Sequence, residues 1–111
     1  MRIALHSVII DGAIDDYRSH HARIPSDLRD LFGDAGIQDW TIWRSGRDLF
    51  HLVECDDFEA AMRVVDAAPA NEAWQAEIGR FVEDFHGADG EVGFAPIEQV
   101  WALSDQRSAE V

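Results

Sequence analysis

Two runs rich in strand-forming residues, 39–44 and 48–55, are separated only by Ser45-Gly46-Arg47. Trp, Ile, Thr, Phe, Leu and Val suit a pleated, half-buried surface, and a link this short with a Gly in it joins antiparallel neighbours. The middle of the chain is therefore a hairpin, and any other strand has to add to that pair. Residues 2–10 alternate Ile3, Leu5, Ser7 and Ile9 against Ala4, His6, Val8 and Ile10 before Asp11-Gly12, which reads as a first strand. Residues 97–103 alternate in the same way and read as a last one.

Between the strands the period changes to that of a helix. In residues 13–24, Ile14, Tyr17, His21 and Ile24 share one face, and Pro25 then interrupts. Ser26 can cap a second stretch whose apolar face is Leu28, Leu31, Phe32 and Ala35, ended by Gly36. After the hairpin, Asp56 or Asp57 can cap a helix carrying Phe58, Ala61, Met62, Val65 and Ala68 up to Pro69. A further helix carries Trp74, Ile78, Phe81, Val82 and Phe85. Residues 87–93 read as a loop, residues 1–104 as a single domain, and residues 105–111 as a flexible C-terminal tail.

The order is βαββαβ with each helical region split in two. Right-handed crossovers and an obligatory hairpin then favour an α+β, ferredoxin-like sandwich: a four-stranded antiparallel sheet with helices on one face. On that reading Ile3, Leu5 and Ile9, with Phe50 and Leu52, meet the helices. Ala4, His6, Val8, Leu49, His51, Val53, Gln99 and Trp101 line the other face, which is too apolar for water and too polar for a dry core. A pocket there, closed by a second copy of the chain, is the expectation, with a homodimer as the assembly.

Charge narrows the ligand. Nine Arg and no Lys face 22 Asp and Glu in 111 residues, for a formal charge of -13. Such a surface repels nucleic acid and anionic membranes and favours a neutral small ligand. No apolar run approaches the roughly 20 residues that span a bilayer, and the start does not read as a signal peptide, so a cytoplasmic protein is expected. Cys55 is the single cysteine, read as a small core residue at a strand end. No His pair has metal-ligand spacing, and neither a metal nor a cofactor is expected.

Tyr17 and His21 are the candidate chemistry. Four residues apart on a helix, they put a phenol beside an imidazole, the side chain best suited to moving protons near neutral pH. Spacing alone also suits two core residues whose polar atoms meet backbone partners.

The run Asp15-Asp16-Tyr17-Arg18-Ser19-His20-His21-Ala22-Arg23-Ile24-Pro25-Ser26-Asp27-Leu28 resembles the L-rhamnose mutarotase family, with its acidic-Tyr-x-x-x-His segment followed by Ile and an acidic-Leu pair. Residues 36–43, Glu54, Asn71-Glu72-Ala73-Trp74 and residues 96–103 are similar in the same order. The resemblance implies a dimeric α/β-barrel isomerase that interconverts the α and β anomers of a 6-deoxy sugar without metal or cofactor. It implies His21 as the general acid and Tyr17 as its sugar-binding neighbour. Trp40 stands where the family usually has Tyr, and Trp74-Gln75 where it has paired Trp. Trp40 and Trp74 are then expected to stack on the sugar and Gln75 to bond a hydroxyl, with His6, His51 and Trp101 as further substrate contacts. L-rhamnose and L-fucose both remain open as substrates. A cofactor-free monooxygenase or ring isomerase on the same barrel, and a non-catalytic small-molecule-binding module, are the competing functions.

Overall fold

The computed structural model describes residues 1–83 and 96–110. The hairpin is formed by β2 (Ile37–Ser45) and β3 (Asp48–Cys55), turned at Gly46 with φ 58°. Positive φ there is the reason a Gly is needed between two strands of this twist. β1 (Arg2–Val8) pairs antiparallel with the free edge of β3, so the sheet order is β1-β3-β2. Gly36, at φ 85°, turns the chain from the second helix into β2, and a Cβ there would come within 3.2 Å of the Asp56 carboxylate.

The helices are α1 (Ile14–His21), α2 (Ser26–Asp34), α3 (Phe58–Asp66) and α4 (Pro69–Ile78), the last continued by a 3₁₀ turn over Gly79–Phe81. Asp57 caps α3, its carboxylate accepting from the Ala60 N–H at 3.1 Å, and Pro69 opens α4 where its missing N–H costs nothing. α3 buries Phe58, Ala61 and Val65 on one stripe, and α4 buries Asn71, Trp74 and Ile78. Leu5, Leu28, Leu49 and Val53 are fully buried between sheet and helices. Each such side chain contributes about 1.5–3 kcal/mol relative to exposure.

The register corrects the expected faces of β3. Leu5 stands opposite His51 and Ser7 opposite Leu49, all four buried, and the partly buried Ile3 stands opposite the buried Val53; this set turns toward the helices. Phe50 and Leu52 share the opposite face with His6. Alternation shows that a strand has two faces, but here both faces of β3 are apolar, and only pairing decides which one goes inward. His51, expected opposite the helices beside His6, lies beneath them instead.

The expected fourth strand over residues 97–103 is also corrected. Among the described residues one rung forms: Pro96 bridges Leu5, and the Ile97 N–H donates to the Ala4 carbonyl at 2.8 Å. Pro96 has no N–H to extend the ladder. The chain then leaves β1 with Val100 93% and Trp101 64% exposed. Beyond it, where a frayed tail is expected, Leu103–Ala109 forms a helix, α5. Gln106 ties this helix to the preceding segment by accepting from the Trp101 indole N–H, and Gln99 donates to Asp105. Phe85 and the loop over residues 87–93 lie outside the described residues.

Candidate active site

A cavity of about 1180 Å³ opens between the sheet and α1, α2 and α4. It lies on the helix side of the sheet, not on the uncovered side where the alternation pattern suggested it. Its apolar walls include Phe32, Trp40 and Trp74, with the Phe32 and Trp40 rings stacked at 5.6 Å. Aromatic walls with a few convergent polar groups are what a small-molecule site usually offers.

Tyr17 and His21 meet in this cavity. Their rings lie 4.2 Å apart, and His21 also abuts the ring of Trp74, edge-on at 5.1 Å. The Nδ1–H of His21 donates to the carbonyl oxygen of Tyr17 one turn earlier, at 3.0 Å. In the neutral imidazole this leaves Nε2 as the proton acceptor. Burial lowers the His21 pKa; the bond to the Tyr17 carbonyl opposes the shift and the neighbouring His20 adds to it. Burial thus favours the neutral imidazole, whose Nε2 can take a proton. Burial pushes the Tyr17 phenol the other way, up to about 12, so it remains a hydrogen-bond donor.

His51 sits on the floor of the site. The Trp40 indole N–H donates to its Nδ1 at 3.1 Å, which fixes the proton on Nε2, and Nε2–H then donates to Ser7 Oγ at 2.9 Å. Burial, with smaller repulsions from His21 and His6, lowers its pKa to about 4. A neutral His51 locked at both nitrogens can orient Trp40 but is poorly suited to exchanging protons.

Of the residues singled out in the sequence, Tyr17, His21, Trp40, His51, Trp74 and Gln75 line the cavity. His6 and Trp101 do not. His6 projects from the other face of the sheet, where it pairs with Asp48 at 2.8 Å and packs on Phe50, and Trp101 bonds Gln106 at the surface. Asn71, buried on the cavity wall one turn before Gln75, was missed, although its spacing to Trp74 and Gln75 places it on their face. Ser7 was counted only as part of a strand's alternation. Among the described residues, no three His, Cys, Asp or Glu side chains are grouped to hold a metal ion.

Helices laid over one face of an antiparallel sheet, with a Tyr and a His side by side in the intervening cavity, define a small α+β protein of ferredoxin-like architecture. Residues 2–103 match the sequence model of the L-rhamnose mutarotase family, and the chain belongs to that family of carbohydrate isomerases. No curated protein sequence matches it. Among solved structures, an L-rhamnose mutarotase from Formosa agariphila superposes with a TM-score of 0.74 at 16% identity, over 93% of this chain and 98% of that one. Tetracenomycin F2 cyclase from Streptomyces glaucescens gives 0.67 at 18% identity, over 93% and 98%. A putative antibiotic biosynthesis monooxygenase from Bordetella bronchiseptica gives 0.63 at 15%, over 90% and 96%. At these identities the superpositions speak for the fold, which evidently carries several chemistries.

Proposed function

We propose that this protein interconverts the α and β anomers of a 6-deoxy-L-hexose, L-rhamnose or L-fucose, with His21 as the proton-transfer group. The observation that carries this is the setting of His21: oriented through Nδ1 by the Tyr17 carbonyl and lining a cavity walled by aromatic rings, where burial favours its neutral form. Ring opening requires the proton of the anomeric hydroxyl to leave while the ring oxygen gains one. Both oxygens are bonded to C1, so a single Nε2 can serve both: it accepts the hydroxyl proton as the C1=O bond forms and delivers it to the ring oxygen as the C1–O bond breaks. Rotation about C1–C2 and the reverse sequence close the other anomer, with no net change in protons or electrons. The Tyr17 phenol, protonated throughout, donates to whichever oxygen carries the developing charge.

Trp40 and Trp74 offer their rings to the sugar's C–H faces, Gln75 offers an amide to a hydroxyl, and His51 supports Trp40 from below. General acid/base help of this kind is worth about 10²–10⁴-fold, which suits a reaction already measurable in water.

The assembly we infer is a homodimer formed through the uncovered sheet face. Trp43 and Phe50 stand opposite each other there at 55% and 42% exposure, and the chain carries the apolar residues 97–101 beyond its own sheet. A second copy covers both with one symmetric contact. A cytoplasmic location fits the free buried thiol of Cys55, and among the described residues no helix is long and apolar enough to cross a membrane.

The test is magnetisation exchange between the anomeric protons of L-rhamnose and L-fucose, with glucose as control. Acceleration of either deoxy sugar by catalytic protein is expected; no acceleration of any sugar contradicts the proposal.

A further inference from the structure

Buried polar side chains among the described residues are few: Ser7, His51 and Asn71. The first two satisfy each other, and Trp40 completes His51. Asn71 has a different surrounding. Its Oδ1 accepts from Gln75 Nε2 at 3.4 Å, a long bond beside the usual 2.7–3.2 Å, and both amides face the cavity beside Trp74. Among the described residues no buried side-chain nitrogen or oxygen lacks a partner, so the Asn71 amide nitrogen is not sealed in the core but opens on the cavity.

The direction of that bond sets the polarity of what remains. Gln75 spends one N–H on Asn71, which leaves the Asn71 Nδ2 donors and the Gln75 Oε1 acceptor one helical turn apart on the same wall. A donor next to an acceptor is complementary to a pair of adjacent hydroxyls, each of which can both accept and donate. It is a poor match for an anion, which needs donors only. The long amide–amide bond costs little to loosen when a ligand displaces it.

We propose that Asn71 and Gln75 form an amide clamp that reads two neighbouring hydroxyls of the sugar, Asn71 Nδ2 donating to one and Gln75 Oε1 accepting from the next. The clamp rests on the mutarotase reading and deepens it. It orients the ring so that C1 faces His21, whose imidazole meets Trp74, the neighbour of Gln75 on α4. Asn71 is thereby a specificity-determining residue, and its contribution belongs mainly to KM, because the hydroxyls it holds do not react.

The experiment is a cycle between protein and substrate. Anomeric exchange is measured for L-rhamnose and L-fucose, and then for the 2-deoxy, 3-deoxy and 4-deoxy analogues of whichever is accelerated, with wild-type protein, Asn71→Ala and Asn71→Asp. Asn71→Asp keeps an oxygen for the Gln75 N–H and replaces only the donor. With wild-type protein, removal of at least one hydroxyl is expected to lower kcat/KM about tenfold, the worth of a hydrogen bond whose buried partner is left unmet. In Asn71→Ala that same analogue and the parent sugar should become nearly equal, with KM raised and kcat little changed, and in Asn71→Asp, whose carboxylate can accept from the same hydroxyl, the difference should change in size without vanishing. Equal losses for every sugar in both variants, or wild-type indifference to all three deoxygenations, overturn the clamp. If Asn71→Ala does not fold, the wild-type series and Asn71→Asp still decide it. Acceleration of either parent sugar with no coupling overturns the clamp alone; acceleration of neither overturns the mutarotase reading and the clamp with it.

Discussion

His21 is bound to Tyr17 twice over: its Nδ1–H donates to the Tyr17 carbonyl at 3.0 Å while the two rings lie 4.2 Å apart. The first contact selects the tautomer and the second holds the imidazole against a phenol that stays protonated, so two residues on one helical turn supply a base and a donor. Catalytic roles for both follow from this geometry as proposals, and each has a distinct consequence.

Replacing His21 with Gln keeps a side chain of similar reach but removes proton exchange. A loss of about 10²–10⁴-fold in kcat/KM for anomeric exchange is expected, with secondary structure by circular dichroism unchanged. A variant within a factor of two of wild type contradicts the role of His21.

Tyr17→Phe separates function from stability. Among the described residues the Tyr17 hydroxyl makes no hydrogen bond and opens on the cavity, so its removal should leave Tm little changed. Activity should still fall by about tenfold or more through loss of the donor. Thermal melts and exchange rates on one preparation check both halves; a large loss of Tm contradicts them.

Acid acts on activity and on stability through different histidines. Activity needs neutral His21, whose pKa is lowered by burial, so the rate should stay flat through neutrality and fall only below the ordinary His value of 6.5. His51 is lowered from 6.5 to about 4, so the unfolded chain binds the extra proton first. Its contribution to stability is complete above pH 6.5 and is lost as pH falls from 6.5 toward 4, by on the order of 3 kcal/mol. Urea unfolding between pH 4 and pH 7 should show that slope, and it should flatten in His51→Gln.

The proposed dimer is tested on the sheet face away from the site. Phe50→Glu places a charge at the centre of the expected contact and should halve the mass measured by light scattering. A wild-type protein of monomer mass contradicts the dimer directly.

How much was legible in the sequence depends on which level set each feature. The hairpin, the Asp57 cap and the Tyr17/His21 turn are local: turn chemistry, capping and a four-residue spacing decide them, and each can be read from a few neighbouring residues. The face of β3 was not legible, because Leu49, His51 and Val53 alternate with Phe50 and Leu52 and either set could pack inward. That reversal moved the expected pocket to the wrong side of the sheet and joined His6 to His51. Residues 97–103 have the alternation of a strand but Pro96 at the one rung formed among the described residues, so pattern promised a ladder that backbone chemistry limits. Asn71 was overlooked because a polar residue at the start of an apolar helix face reads as a surface position until the cavity beside it is seen.

The most direct test of the account is the anomeric exchange rate of L-rhamnose and L-fucose measured with wild-type protein and with His21→Gln at matched concentrations. The account predicts clear acceleration of at least one of the two sugars by wild type and near-background exchange with the variant. Equal rates for the two proteins, whether both fast or both at background, would contradict it.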